Sequence, residues 1–274
     1  MPLAVVKDVS FSYGTKPVFD RISFSVAEGE IFCLIGPNGC GKTTLLDCLL
    51  GLHAFDSGTF WLSGKDAAQL KPKKIAQTIA YVPQIHERTF PYTVRQIVTM
   101  GRAAHLGFFQ SPSSTDGYLA DEALERIGIS HLGPRPYTQL SGGEVQLVLV
   151  ARALAQQAPL IIMDEPTAHL DFRYELIIME VISDLVKDKG MSVIMATHIP
   201  NHAFYFQSQR IQTSIALFNS GKFLDVGDPE LVIDKGRLEQ LYGINADVIW
   251  LTNPNGGRMR HIVPLNTITK SDKR

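Results

Sequence analysis

The sequence predicts an α/β fold, because short apolar runs alternate with helical stretches along the chain. Residues 160–163 (LIIM) and 192–196 (SVIMA) are such runs, and residues 174–187 between them have a helical pattern. Runs of this kind suit parallel strands that are covered on both faces of a sheet. A third run, residues 30–35, leads into a glycine-rich turn and then a helical stretch at 43–50. Strand, helix, strand in this order is the βαβ pattern of α/β proteins.

The other segments predict antiparallel strands and a helical region around this core. Residues 4–35 alternate β-rich runs with turn residues, which is typical of an antiparallel region. Residues 87–158 are mostly helical in pattern, with a loop at 107–117 and a helix at 121–127. Residues 215–224 have the pattern of a hairpin. We therefore expect parallel and antiparallel strands in one chain.

The composition excludes several classes of protein. The chain has 274 residues, 45% hydrophobic and 19% charged, which suits one large globular domain, or one domain with a smaller appendage. The net charge of −1 lacks the basic excess of a typical nucleic-acid-binding protein. No apolar run approaches the roughly 18 residues that a membrane-spanning helix needs. The N-terminal residues have charged and polar side chains too early for a secretory signal.

The chain has three cysteines, Cys33, Cys40 and Cys48. They form no Cys-x-x-Cys pair, so the sequence indicates neither a zinc motif nor a redox motif. Free cysteines usually behave as small buried apolar residues. We expect this of all three, in a reducing compartment.

A glycine-rich loop follows the apolar run at residues 30–35. It fits the pattern G-x-x-x-x-G-K-[ST], in which backbone N–H groups surround a phosphate at the N-terminus of the next helix. In this pattern Lys42 reaches the β- and γ-phosphates, and the Thr43 hydroxyl binds Mg²⁺. The predicted nucleotide-binding residues of the loop are Gly36, Pro37, Asn38, Gly39, Cys40, Gly41, Lys42, Thr43 and Thr44.

Two carboxylates, Asp164 and Glu165, stand at the end of the apolar run at 160–163. Ligands of α/β sheets bind at the carboxyl ends of the strands. Asp164 is therefore expected to hold Mg²⁺ through water, and Glu165 to polarise an attacking water as a general base. On its own the pattern fits an ordinary solvated strand end equally well. The glycine-rich loop upstream favours the magnesium and general-base interpretation.

A third motif points to a known family. Residues 140–146 (LSGGEVQ) resemble the LSGGQ-type signature of ABC ATPases and stand about 20 residues before the acidic pair, as in that family. The resemblance covers nearly the whole chain. Tyr13 matches the family's adenine-stacking aromatic, Gln84 the glutamine between the two subdomains, Asp171 the D-loop, and His198 the switch histidine.

The resemblance implies a role for each of these residues. Tyr13 would stack on adenine, and Gln84 would bind Mg²⁺ or position water. His198 would contact the γ-phosphate and hold the water and Glu165 in line. The signature would complete the ATP site of a second copy, so that two chains enclose two ATP molecules. It consists of Ser141, Gly142, Gly143 and Glu144, in which Ser141 and Glu144 have capping-box spacing.

Less specific interpretations exist for single residues. Tyr13 alone would more often be a sheet-edge aromatic, and Gln84 alone a surface glutamine. His198 and His202 have helical metal-ligand spacing, but Pro200 lies between them and there is no His-Glu-x-x-His pattern. The chain also departs from the family, chiefly at Ile199, where an acidic residue is frequent, at His169 in the D-loop, and at residues 144–145 of the signature. None of these departures removes a group that contacts phosphate.

The implied fold is a P-loop NTPase of the ABC ATPase type. It has a mixed sheet core, an antiparallel β subdomain and an inserted α-helical subdomain. As one domain of residues 1–274, it would place the catalytic core and β subdomain at 1–86 and 159–225. The helical subdomain with the signature would be 87–158, and 226–274 would be a C-terminal extension.

The sequence also indicates a branch of the family. Without a transmembrane segment of its own, the chain would act on separate integral membrane permease subunits, as importers do. Residues 101–109, 227–230 and 241–243 resemble the ATPases of iron-siderophore, haem and cobalamin importers. Residues 38–42 and 197–201, with the run IVPL near the end, are similar to the molybdate/tungstate importer ATPase.

The expected partners follow from this branch. They are a second copy of the chain, the permease subunits and indirectly a substrate-binding protein, with no nucleic acid, at the cytoplasmic face of the inner membrane. Phe90, Tyr92 and Met100 are expected to line a groove for a permease helix, or else to be core of the helical subdomain. Alternative functions are a soluble ABC-type ATPase in translation or DNA repair, the ATPase of an exporter, and a nucleotide-gated module without turnover.

Overall fold

The structure is a computed structural model that describes residues 2–84, 91–107, 109–252 and 257–268. Its strands are β1 (Pro2–Tyr13), β2 (Lys16–Ala27), β3 (Ile31–Ile35), β4 (Ser57–Leu62), β5 (Lys65–Asp66), β6 (Ile79–Val82), β7 (Leu160–Asp164), β8 (Ser192–Thr197), β9 (Thr213–Asn219), β10 (Lys222–Gly227), β11 (Ile244–Thr252) and β12 (Arg258–Thr267). Its α-helices are α1 (Lys42–Leu49), α2 (Pro72–Thr78), α3 (Val94–Thr99), α4 (Ser114–Ile127), α5 (Gly142–Ala155), α6 (Phe172–Lys189), α7 (Asn201–Ser208), α8 (Pro229–Val232) and α9 (Lys235–Tyr242). Short 3₁₀ turns lie at Ala67–Gln69, Met100–His105, Ser130–Leu132 and Tyr137–Gln139.

The chain divides into two compact units. The first contains Met1–Ala68 and Ser192–Arg274, and the second contains Gln69–Met191. The subdomain limits expected from the sequence lie elsewhere, at 86/87 and 158/159, and the first of these limits is outside the described residues. The division into a catalytic core, a helical subdomain and an extension therefore stays a prediction.

The first unit contains a mixed sheet and an antiparallel sheet. In the mixed sheet β3 pairs in parallel with β8 on one side and β9 on the other, and β10 pairs antiparallel with β9. Every residue of β3 and β8 is buried, as expected for strands covered on both faces. The antiparallel sheet has the order β2, β1, β4, β5. The predicted antiparallel region at 4–35 is thus confirmed for β1 and β2 but not for β3, which is parallel to both of its neighbours. The hairpin at 215–224 is confirmed.

The second unit contains a parallel strand pair and a group of helices. β6 and β7 are parallel, and β7 is buried along its whole length. Helices α3, α4 and α5 contact one another. α5 is buried on nearly every side, as its apolar sequence predicts. The helical character of residues 87–158 is confirmed for the described part of that range.

The predicted loop at 107–117 is wrong in its second half, because α4 already begins at Ser114. Ser113 and Asp116 form a capping box, in which the Ser113 hydroxyl accepts the Asp116 N–H and the Asp116 carboxylate accepts the Ser113 N–H. Residues rich in Ser, Thr and Gly obscured this start, since they are poor helix formers. The cap satisfies the exposed N–H groups of the first turn and so allows the helix to begin early.

Asp116 also forms a buried ion pair with Arg102, which lies in the 3₁₀ turn after α3. Arg102 Nε donates to Asp116 at 3.0 Å, and Nη1 donates to the backbone carbonyl of Ala155 at the end of α5 at 2.9 Å. Hydrogen bonds from Ser113, followed by the bond from Arg102, lower the pKa of Asp116 to about 2. One guanidinium thus connects the 3₁₀ turn, α4 and α5.

We expect Arg102→Ala to lower the melting temperature of the chain clearly, because it leaves the Asp116 carboxylate buried without its cation. The matched control is Arg95→Ala. Arg95 forms a bidentate pair with Asp121, but both side chains are about half exposed, so its loss costs about 0–1 kcal/mol. Equal melting temperatures for the two variants at neutral pH would contradict the expectation.

The pKa of Asp116 gives this prediction a pH dependence. A carboxyl whose pKa is depressed by folding stabilises the protein above its unfolded pKa of about 4, and the contribution disappears as the pH falls through the folded value. The difference in melting temperature between wild type and Arg102→Ala should therefore narrow as the pH falls from about 4 towards the folded pKa of about 2. Thermal unfolding at a series of pH values measures this difference.

The C-terminal residues of the first unit form two short helices and a hairpin. α8 and α9 follow β10, and β11 pairs antiparallel with β12. β12 contacts α7, and β11 contacts α9. None of the helices in the described ranges is long and apolar enough to cross a membrane.

Candidate nucleotide-binding site

The glycine-rich loop lies between the end of β3 and the start of α1. The Gly36 N–H donates to the Thr197 carbonyl at 3.3 Å, and a Cβ atom at Gly36 would overlap the backbone carbonyl oxygen of Phe218 in β9. Only glycine therefore fits at the start of the loop. Gly41 ends it with φ of 111° and caps α1, so the loop turns sharply into the helix.

Lys42 lies back across this loop. Its buried ammonium group donates to the carbonyl oxygens of Gly36 at 2.8 Å and Pro37 at 3.1 Å. Thr43 is exposed and Thr44 half-buried in the first turn of α1. A helix N-terminus carries partial positive charge, so the loop presents backbone N–H groups and a lysine to an anion. Asn38, Gly39 and Cys40 complete it.

Tyr13 ends β1 with half of its surface exposed, at 50%. Its ring packs edge-on against Phe11 and His53, with centroid distances of 4.9 and 5.6 Å. The Tyr13 hydroxyl lies 3.4 Å from His53 Nε2. These contacts hold the ring in place while half of the residue stays exposed, which suits stacking on a planar base. No pattern around Tyr13 indicated His53, because the two residues are 40 positions apart in the chain.

Gln84 and Glu165 come together in the second unit. Gln84 follows β6 and Glu165 follows β7, and these parallel strands end at the same edge. Gln84 Nε2 donates to Glu165 Oε2 at 3.4 Å. Asp164, the last residue of β7, is buried. The structure thus places the predicted glutamine beside the predicted general base.

Glu165 has a left-handed backbone conformation, with φ of 46°. Such a conformation is costly for a residue with a Cβ atom, typically about 1–3 kcal/mol, and persists where the surrounding structure fixes it. The turn after Glu165 is closed by the Ala168 N–H, which donates to the Glu165 carbonyl at 3.0 Å. The strained backbone thus lies at the residue whose buried carboxylate contacts Gln84.

The signature residues form the N-terminus of α5. Ser141 caps the helix and Glu144 completes a capping box, as predicted. The Glu144 carboxylate accepts the Ser141 N–H at 2.7 Å and a bond from Arg135 at 3.1 Å. The first of these bonds is the largest cause of the lowered pKa of Glu144. The N–H groups of Gly142 and Gly143, in the first turn, have no partner within the helix itself.

Gly143 packs directly against α6. A Cβ atom on Gly143 would overlap the ring of Tyr174, whereas one on Gly142 would meet open space. Asp171 caps α6 by accepting the Tyr174 N–H at 2.9 Å. The D-loop aspartate therefore has a structural role in the placement of Tyr174, which the motif alone did not reveal.

His198 follows β8 and is exposed, and its backbone carbonyl accepts a hydrogen bond from Tyr242 at 2.9 Å. His202 is buried, with Nδ1 3.0 Å from the Thr197 hydroxyl. Groups of three or more potential metal-ligating side chains were found nowhere among the described residues.

The three cysteines are buried, as predicted. Burial raises the pKa of the Cys33 thiol. Burial, and secondarily the carboxylates of Asp47 and Asp56, raise the pKa of Cys48 to about 12. Both are therefore protonated and unreactive at neutral pH. Cys40 lies within the glycine-rich loop.

A glycine-rich loop between a buried parallel strand and a helix N-terminus defines an α/β protein of the P-loop nucleotide-binding class. Comparison with known proteins narrows the class. A family model described as ABC transporter matches residues 19–168. The chain therefore belongs to the ABC transporter family and has its nucleotide-binding, ATP-hydrolysing domain.

This chain is similar to other members of the family over most of its own length and most of theirs. The "Probable iron chelatin transport ATP-binding protein" of Helicobacter pylori is 36% identical over 250 residues, which are 90% of this chain and 96% of that protein. The molybdate import ATP-binding protein MolC of Haemophilus influenzae is 35% identical over 218 residues, 79% of this chain and 81% of that protein. A solved chain from an inward-facing ABC transporter, described as of the metal-chelate type, is 32% identical with a TM-score of 0.84, covering 96% of this chain and 97% of that one.

Proposed function

We propose that the chain is the ATP-hydrolysing subunit of a binding-protein-dependent ABC importer for a metal chelate or an oxyanion. The cargo classes are iron-siderophore, haem, cobalamin, and molybdate or tungstate. The names of the relatives from H. pylori and H. influenzae support this choice. For hydrolysis, the observation that carries the proposal is the contact between Gln84 and the Glu165 carboxylate at 3.4 Å.

In the proposed reaction Glu165 is the general base that accepts a proton from the attacking water. Gln84 positions that water. Lys42 and the backbone N–H groups of the glycine-rich loop bind the β- and γ-phosphates, Tyr13 stacks on adenine, and His198 contacts the γ-phosphate. Catalysis of this kind consists mainly of positioning and charge stabilisation.

Thr43, Gln84 and Asp164 are the proposed ligands of Mg²⁺. Their hydroxyl, amide and carboxylate oxygens are the hard donors that Mg²⁺ prefers. The Nε2 group of Gln84 donates a hydrogen bond to Glu165. The amide oxygen of Gln84 is therefore the atom that would bind the cation. When bound, Mg²⁺ neutralises charge on the phosphates.

The signature is proposed to act on the nucleotide of a second copy. The N-terminus of α5, a helix of 14 residues, presents the Gly142 and Gly143 N–H groups as an anion site. Ser141 and Glu144 hold this turn in place through the capping box. Two copies would thus enclose two ATP molecules, and Asp171 would lie in the D-loop between them.

A groove in the second unit suits an apolar helix of a permease subunit. It has a volume of about 640 Å³. Tyr92 and Met100 line it and are 42% and 45% exposed, which favours the groove over a core position. Exposed apolar groups of this kind mark interaction surfaces. Phe90, the third residue expected there, lies outside the described residues. Bound to such a permease, the chain would lie at the cytoplasmic face of the inner membrane, with a substrate-binding protein as an indirect partner.

A pull-down of the tagged chain from detergent-solubilised membranes of its host tests this proposal. We expect a polytopic membrane protein among the bound proteins, identified by mass. Met100→Glu should reduce its recovery at least about tenfold, because it buries a charge in an apolar interface. Leu231→Glu, which changes an 82% exposed leucine on α8, is the matched control and should not. Recovery of ribosomal or DNA-repair proteins alone would instead support a soluble ABC ATPase.

A further inference from the structure

The loop that carries His198 is attached to residues that come later in the chain. Tyr242, the last residue of α9, donates its hydroxyl hydrogen to the His198 carbonyl oxygen at 2.9 Å. Asn201 accepts the Ile262 N–H of β12 at 2.8 Å and donates to the Ile262 carbonyl at 3.3 Å. All these residues lie in the first compact unit. The loop is therefore held near both of its ends by α9 and β12.

Further bonds fix the backbone within the loop. The Thr197 hydroxyl accepts the Ile199 N–H at 3.0 Å and lies at the same distance from Nδ1 of the buried His202. By contrast, the His198 side chain is exposed. These bonds therefore fix the backbone from which the imidazole projects.

Tyr242 is itself firmly placed. Asp234 caps the N-terminus of α9 by accepting the Arg237 N–H at 2.8 Å. Gly243 ends the helix in a left-handed conformation with φ of 67°, as is usual at helix C-termini. Leu238 and Leu241 anchor the same helix in the core. A hydroxyl on so fixed a helix can hold the His198 carbonyl in one position.

We propose that the C-terminal residues position the switch histidine for hydrolysis, with Tyr242 as the principal positioning residue and Asn201 as the second. The inference rests on the proposed role of His198 at the γ-phosphate. Tyr242 does not touch the nucleotide in this scheme; it acts only through the backbone of His198. Removal of its hydroxyl group frees the loop without removing a group that binds ATP.

The test is Tyr242→Phe in the full-length chain. The ring remains, so the melting temperature should change little. We expect kcat to fall about three- to tenfold, the equivalent of one hydrogen bond that orients a catalytic group, while KM for ATP stays within about twofold. Tyr118→Phe, at a 67% exposed tyrosine on α4, is the matched control and should leave both constants unchanged.

A double-mutant cycle separates this inference from the proposed role of His198. In a His198→Ala background Tyr242→Phe should have no further effect, because the side chain that it positions is gone. Unchanged kcat in Tyr242→Phe, together with a strong loss in His198→Ala, would overturn the inference alone. Wild-type hydrolysis in His198→Ala would overturn the proposed role of His198 itself.

Asn201→Ala provides a second route to the same answer. It removes both bonds to Ile262 and should also lower kcat more than it raises KM. Amide hydrogen exchange of the nucleotide-free chain gives a readout that does not depend on activity. Exchange at residues 198–202 should be faster in both variants than in wild type. Unchanged exchange in both variants would contradict the inference.

Discussion

Glu165→Gln is expected to reduce ATP hydrolysis by about 10²–10⁴-fold, the usual contribution of a general base, and to leave ATP binding intact. The amide has the shape of the carboxylate but cannot accept a proton at neutral pH. The left-handed backbone at this position affects Glu and Gln equally, so the variant should fold normally. Phosphate release measures the first effect, and equilibrium binding of a fluorescent ATP analogue measures the second.

The same variant should accumulate as an ATP-bound dimer, because hydrolysis no longer separates the copies. Size-exclusion chromatography with and without ATP reveals this. Glu180→Gln, at an exposed position on α6, is the matched control and should retain wild-type hydrolysis. If Glu165→Gln hydrolysed ATP at the wild-type rate, the assignment of Glu165 as the base would be wrong.

Gly143→Ala should abolish most hydrolysis and also destabilise the chain. The added methyl group overlaps the ring of Tyr174, so α5 and α6 must separate or the ring must move. Overpacking of this kind costs about 1–3 kcal/mol, which corresponds to about 2–4 °C of melting temperature per kcal/mol for a chain of this size. Displacing the N-terminus of α5 also displaces the N–H groups that are proposed to contact the nucleotide of the second copy.

The neighbouring glycine provides a control for stability. A Cβ atom at Gly142 meets open space, and alanine is about 0.5–1 kcal/mol more favourable than glycine within a helix. Gly142→Ala should therefore keep or slightly raise the melting temperature, in contrast to Gly143→Ala. Adding Tyr174→Ala to Gly143→Ala should recover part of the lost stability. If both single variants melted at the same temperature, the contact with Tyr174 would not explain the glycine.

Local patterns in the sequence predicted most of the fold. Buried strands such as β7 and β8 are apolar runs in the sequence. The spacing of Ser141 and Glu144 predicts the N-terminal cap of α5. These signals involve neighbouring residues, so no knowledge of the tertiary structure is needed to recognise them. The start of α4 was missed because poor helix formers follow Ser113, and its capping box outweighs their propensity.

Contacts between distant residues could not be predicted in this way. Tyr242 is 44 residues from His198, and nothing in the pattern around either residue indicates the other. The contact between Tyr174 and Gly143 could not be predicted either, because only the packing of α6 on α5 brings these two residues together. The motif residues themselves were recognisable, while the residues that hold them in place depend on tertiary packing.

The left-handed backbone at Glu165 predicts which residue would replace this glutamate in a relative that no longer hydrolyses ATP. Of all residues, glycine adopts this conformation most readily. β-Branched residues are strongly disfavoured there. A descendant that no longer needed to hydrolyse ATP would lose the selection that keeps a strained glutamate and could accept glycine at this position. This inactive descendant would then have a higher melting temperature than its active ancestor.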